Sequence, residues 1–82
     1  MIQLSSSIFT NIPVGTNGFM LGTALYAADG ATQANDASDR IIYNKTTGAL
    51  YYDKDGTGSV AAVHFATLTT KPAIIAADFL VV

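Results

Sequence analysis

Two short apolar runs on either side of a glycine-bearing turn constrain this chain most. Residues 40–44 read Arg-Ile-Ile-Tyr-Asn, residues 45–48 read Lys-Thr-Thr-Gly, and residues 49–53 read Ala-Leu-Tyr-Tyr-Asp. Runs of β-branched and aromatic residues bounded by turn formers predict strands, and this spacing predicts a β-hairpin. Gly48 is placed to supply the positive φ that a short loop needs. A four-residue loop and a three-residue loop with a bulge both fit, and the choice decides which side chains share a face. In either register, aromatic or Ile side chains fall on both faces. The sheet is therefore expected to be covered on both sides, or docked on something outside the chain.

The second run empties into Asp53-Lys54-Asp55-Gly56-Thr57-Gly58-Ser59. Ca²⁺ is a hard cation that takes about six to eight oxygens, and alternating carboxylates with glycine-freed carbonyls supply several from one loop. The candidate calcium ligands are Asp53, Asp55, Gly56 and Ser59, with Asp36 and Asp39 completing the set from the preceding loop. The loop lacks the distal bidentate Glu of an EF-hand. The affinity it could provide alone is on the order of 10⁻⁴–10⁻³ M. The competing reading is a glycine-rich turn whose Asp side chains cap backbone amides.

Beyond the hairpin, residues 60–68 are expected to form a third strand. Val63 and Phe65 would lie on one face, with Ala62, His64 and Ala66 on the other. Residues 69–72 read as a turn, 73–77 as a connector, and 79–82 as a terminal apolar strand. Upstream, Ser5 or Ser6 is placed to cap a helical turn carrying Ile8 and Phe9. Ile12-Pro13-Val14-Gly15 and Asn17-Gly18 read as turns. The apolar groups 19–21 and 25–26 fit a short helix or an extended segment. Residues 27–39 read as a loop with one helical turn near residues 32–34. The expected fold is mainly β, a small antiparallel meander of about four strands with a loop-rich, short-helical N-terminal third. Residues 1–25 form the N-terminal segment and 26–82 the β region of a single domain.

Composition removes several function classes. An 82-residue chain buries only about 60–65% of the surface it exposes unfolded, so its stability is modest unless a metal, partner or neighbouring domain helps. Half the residues are hydrophobic, but many are Ala. Four basic residues in a chain of net charge −2 form no patch that nucleic acid would require. The absence of Cys excludes disulfides and thiolate metal sites. No apolar run approaches the roughly 18 residues of a membrane span. Nor does a basic segment precede an apolar core at the N-terminus, as a Sec-type signal would need. His64 is the only His and cannot build a multi-His metal site. The nucleophile-elbow motif is absent, and no catalytic constellation emerges. The tyrosines Tyr26, Tyr43, Tyr51 and Tyr52, with Phe65 and Phe79, read as cross-strand packing pairs, with a sugar-binding platform as the alternative.

The segment from about residue 26 to 82 resembles the C-terminal region of RTX (hemolysin-type calcium-binding) proteins exported by type I secretion. Five blocks occur in order: Asp-Arg-Ile-Ile-Tyr-Asn at 39–44, Thr-Gly-Ala-Leu at 47–50, Tyr-Asp-Lys-Asp-Gly-Thr-Gly at 52–58, Ala-Val-His-Phe-Ala-Thr-Leu at 62–68 and Asp-Phe-Leu-Val-Val at 78–82. The defining glycine- and Asp-rich nonapeptide repeat is absent. The chain would therefore be the segment downstream of the repeats, and Met1 is not expected to be a natural N-terminus. His64 stands where the family often has another polar residue such as Gln.

The resemblance implies an uncleaved export signal at Asp78, Phe79, Leu80, Val81 and Val82, read by a type I ABC transporter complex. It implies an extracellular, calcium-rich destination and upstream RTX repeats as the neighbour to be capped. An apolar C-terminal strand also invites self-association through its edge. Two alternatives belong to other classes. One is a calcium-dependent structural or adhesion module. The other is an accessory substrate-binding domain of an extracellular enzyme, which requires Tyr51 or Tyr52 to be exposed on a flat face.

Overall fold

The computed structural model describes residues 2–5, 7–9, 12–15, 18–54, 56 and 61–82. Asp55 and Ser59 of the candidate calcium loop, Ser6 of the candidate cap and Val60 of the expected third strand lie outside the described residues. The fold is mainly β. In chain order the strands are β1 (Ile2–Leu4), β2 (Leu25–Ala28), β3 (Ile41–Asn44), β4 (Ala49–Tyr52), β5 (Val63–Thr67) and β6 (Phe79–Val81), with short 3₁₀ turns at Gly22–Ala24 and Ala76–Asp78.

The expected hairpin is β3–β4, antiparallel with Tyr43 opposite Leu50 and Ile41 opposite Tyr52. Its loop has four residues, 45–48. Gly48 has φ +81°, and its N–H donates to Asn44 O at 2.7 Å. A Cβ at Gly48 would run into the Leu68 backbone, so two requirements for glycine coincide there. β5 adds antiparallel to β4, which completes three strands of the expected meander.

The fourth strand of this sheet is β2, and it pairs with β3 in parallel. The expected fourth strand, β6, instead pairs in parallel with β1 in a second, two-stranded sheet. A parallel neighbour needs a crossover of about a dozen residues or more, and residues 29–40 provide it. This stretch contains neither the loop start expected at Ala27, which is in β2, nor a helical turn near 32–34. Its small polar residues suit a crossover as well as they suit a loop, so composition alone does not separate the two.

β3 has neighbours on both edges, and all four of its residues are buried. Such a strand reads as a continuous apolar run, without alternation. Ile41 and Tyr43 face the main core with Leu50, Leu4, Ile12, Met20, Ala24, Ala76 and Phe79. That core draws on both ends of the chain, so Leu4, Ile12, Met20 and Ala24 are part of the same packed unit as the β region. Ile42 is fully buried but stands outside this cluster, as does buried Ala31 of the crossover. β3 is therefore covered on both faces, while the second face opens toward β5, where His64 is exposed.

The face assignment in β5 differs from expectation. A β-bulge shifts the register between Leu50 and Tyr51, so Leu50 opposes Ala66 while Tyr51 opposes His64. The extra residue, Phe65, packs on the main core, as does Ala66. Val63 is 61% exposed at the strand's start. A bulge inserts one residue and breaks strict alternation, which is why a period of two misassigns these side chains. The strand is also shorter than 60–68: Ala61 and Ala62 precede it as irregular chain.

Candidate functional site

The candidate site residues fall into two groups, one at the start of β3 and one at the C-terminal strand. In the first, Asp39 is buried and its Oδ2 accepts N–H bonds from Asn35 at 2.9 Å and Asp36 at 3.1 Å. Asp36 is exposed, and its Oδ1 accepts from the Ser38 hydroxyl at 2.7 Å and the Ser38 N–H at 3.0 Å. The Ser38 hydroxyl first, and then its amide, hold the Asp36 carboxyl below its ordinary 3.8, because both bonds favour the charged form. The Arg40 guanidinium caps this turn by donating to the carbonyls of Ala37 at 2.7 Å and Asp39 at 3.0 Å.

Asp53 and Gly56, which follow β4, meet that turn. Asp53 is buried and its N–H donates to Arg40 O at 2.8 Å. Gly56 has φ +67°, and a Cβ there would run into the Ala37 backbone. The two loops read from the sequence as one calcium site are therefore in contact. However, Asp36 and Asp39 both already accept hydrogen bonds from their own turn. Among the described residues no three His, Cys, Asp or Glu side chains are grouped to share a metal ion. A groove of about 230 Å³ lies beside the crossover, lined by Tyr26, Asp29 and residues 30–35.

The second group is built around β6. Asp78 closes the 3₁₀ turn, its Oδ2 accepting the Ile75 N–H at 2.9 Å and its own N–H donating to Ile75 O at 3.0 Å. Phe79 then enters the core with no exposed surface. Burying such a side chain contributes about 2–3 kcal/mol. Leu80 and Val81 are half-buried and Val82 is 60% exposed.

Tyr43, Tyr51 and Tyr52 pack against neighbouring side chains or backbone, and Tyr26 lines the groove beside the crossover. The Phe9 ring meets Tyr52 at 5.1 Å and Phe65 at 4.9 Å, both edge-on, a favourable geometry for aromatic pairs. Tyr51 lies 5.3 Å from the His64 ring, its register partner. His64 is exposed, with Nε2 2.8 Å from Thr67 Oγ1. Tyr43 is buried and its hydroxyl donates to Pro72 O at 2.7 Å, which ties the connector down onto β3. Neither Tyr51 nor Tyr52 stands fully exposed.

Asn44 is the residue that sequence reasoning passed over. It is buried, and its Oδ1 accepts N–H bonds from Gly30 at 3.1 Å, Thr46 at 2.9 Å and Thr47 at 3.3 Å. One oxygen thus joins the hairpin loop to the start of the crossover. The signal that could have found it is an Asn immediately before a turn, where side-chain oxygens mimic backbone acceptors. Its long-range bond to Gly30 has no local signature.

Set against known proteins, the chain matches no family model, no curated protein and no solved structure.

Proposed function

We propose that this chain is the non-catalytic C-terminal domain of a secreted RTX-like protein. It carries an uncleaved type I secretion signal at Asp78, Phe79, Leu80, Val81 and Val82 and closes the end of a calcium-loaded β-roll upstream. The observation that carries this reading is the ordered series of five sequence blocks ending in an acidic residue and four apolar ones at 78–82. Two structural features support it. The tail has its own small sheet, separate from the four-stranded one, and Phe79 anchors it in the core shared with the hairpin. β2 lies at the edge of the larger sheet and runs parallel to β3, the direction in which a parallel solenoid continues.

The test is export of a slow-folding passenger fused ahead of residues 1–82, in cells carrying a type I exporter. The intact fusion is expected in the medium, and a fusion ending at Asp78 is expected to stay in the cell. Export of both, or of neither, overturns the targeting role. The contact of Gly56 with Ala37 favours a second reading, a calcium-dependent structural or adhesion module. That reading predicts export unaffected by the tail and a fold that tightens on adding Ca²⁺.

A further inference from the structure

The crossover from β2 to β3 opens with Asp29-Gly30-Ala31-Thr32-Gln33-Ala34-Asn35. With Tyr26, this stretch walls the groove of about 230 Å³. Its backbone is pinned at both ends by buried side chains. Asn44 Oδ1 accepts the Gly30 N–H at 3.1 Å, and Asp39 Oδ2 accepts the Asn35 N–H at 2.9 Å. Between these points the Ala31 N–H donates to Ala28 O at 3.3 Å, and Ala31 is itself buried. On the β2 side, Tyr26 is half-buried and stands opposite Ile42 of β3.

Asp29, Thr32, Gln33 and Asn35 are exposed. Among the described residues, their side chains and the Tyr26 hydroxyl take part in no hydrogen bond. The next part of the same crossover behaves otherwise, because Asp36, Ser38 and Asp39 engage their polar atoms within their own turn. The crossover thus divides into a self-satisfied turn at 36–39 and a row of unpaired polar side chains at 29–35. The backbone beneath that row is already ordered, which removes part of the cost of binding a ligand.

Chemistry narrows the occupant. Among the described residues, no Lys or Arg lines the groove and Asp29 is its one carboxylate. An anion finds no counter-charge there, and a Ca²⁺ ion needs about six or more oxygens. Apart from the Tyr26 ring, only Ala31 and Ala34 offer apolar side chains, which suits no hydrophobic ligand. A neutral, hydroxyl-rich molecule fits. A carboxylate and two amides present acceptors and donors close together, and a tyrosine ring adds flat apolar area. The volume is below the roughly 300–1,000 Å³ of a pocket for a drug-sized ligand and suits a single sugar ring. The groove is open to solvent, so a longer chain can pass through it.

We propose that this groove binds one pyranose ring of a neutral polysaccharide. Tyr26 takes the C–H face of the ring, and Asp29 accepts from its hydroxyls in charge-assisted hydrogen bonds. Gln33 and Asn35 supply donors and acceptors to the neighbouring hydroxyls. The site is separated by β3 from Tyr51 and Tyr52, and it stands whether or not residues 78–82 direct export.

The test is an amide NMR titration of the ¹⁵N-labelled full chain. The probes are neutral hexasaccharides of β-linked glucose, α-linked glucose, β-linked mannose and N-acetylglucosamine, with hexagalacturonate as the acidic control. At least one neutral chain is expected to bind with a dissociation constant of about 1–5 mM, the level that one ring of about a dozen heavy atoms reaches at ordinary ligand efficiency. The largest shifts should fall on residues 26 and 29–35. Asp29→Ala and Gln33→Ala, both at exposed positions, should each weaken binding about fivefold or more. Tyr26→Phe keeps the ring and should stay within about threefold, and His64→Ala on the far edge strand should change nothing. No shift from any neutral chain up to its solubility limit overturns the site, as do equal shifts from hexagalacturonate. Binding that survives Asp29→Ala and Gln33→Ala together, or shifts centred on Tyr51 and Tyr52, overturns it too.

Discussion

Replacing Asn44 by Ala removes an oxygen that three backbone N–H groups share. Each hydrogen bond contributes about 0.5–1.5 kcal/mol net. The bond from Thr47 is the longest at 3.3 Å, and Gly30, Thr46 and Thr47 are exposed residues, so water can re-satisfy part of the loss. The low end of the range therefore applies, which gives about 1.5–3 kcal/mol in total. A domain of this length has roughly 4–12 kcal/mol to lose, so the effect is a large share. Urea unfolding followed by tyrosine fluorescence measures it. With a slope of about 1 kcal/mol/M for so small a protein, the midpoint should fall by about 1.5–3 M. Asn44→Asp keeps the accepting oxygen and is expected to stay within about 1 kcal/mol of the native chain. A loss below about 0.5 kcal/mol for Asn44→Ala, or an equal loss for Asn44→Asp, would refute the claim that acceptance at Oδ1 holds the turn and the crossover together.

Three further outcomes are expected. Gly48→Ala should cost at least about 3 kcal/mol, since it adds a backbone collision with Leu68 to a left-handed conformation, whereas Gly30→Ala, with φ +72° and open space, should cost only about 1–2; equal midpoint shifts would contradict the packing at Gly48. Asp36 should titrate below 3.8 by NMR and return toward it in Ser38→Ala. Because its folded value is depressed, its contribution to stability is present above 3.8 and lost as the pH falls through the lowered value; an unchanged titration in Ser38→Ala would rule out the Ser38 bonds as the cause. Calorimetric titration with Ca²⁺ should give a dissociation constant no tighter than about 10⁻⁴ M, because Asp36 and Asp39 are engaged by their own turn; tighter binding that Asp53→Asn abolishes would show that the two loops form a complete site.

The β3–β4 hairpin was legible because its signals are local: two runs of β-formers, a loop of three or four residues and Gly48 placed to supply the positive φ; the choice between the two loop lengths was not. The acidic turn was legible only as a set of residue types. That Asp36 and Asp39 accept bonds from their own backbone, and that Gly56 touches Ala37, depends on how two loops from different parts of the chain meet. The bulge at Leu50–Tyr51 is a further case. Nothing in the pattern of residues 63–67 marks an inserted residue, so strict alternation was the natural but incorrect expectation.

The partners of the remaining strands could not be read from local pattern at all. Leu25–Ala28 is too short and too rich in Ala to declare itself a strand, and it becomes one because buried β3 has backbone N–H and C=O groups along its free edge that need partners. Phe79–Val81 does look like a strand, and pattern alone places it beside the meander as readily as anywhere else. Its pairing with Ile2–Leu4 and Phe19–Met20 joins residues some sixty to eighty positions apart. Composition and spacing determine that the clearest apolar runs, such as 41–44, 49–52 and 79–81, are extended. Which edges they find is decided by burial of the shared core, a non-directional force that acts only once the whole chain has collapsed.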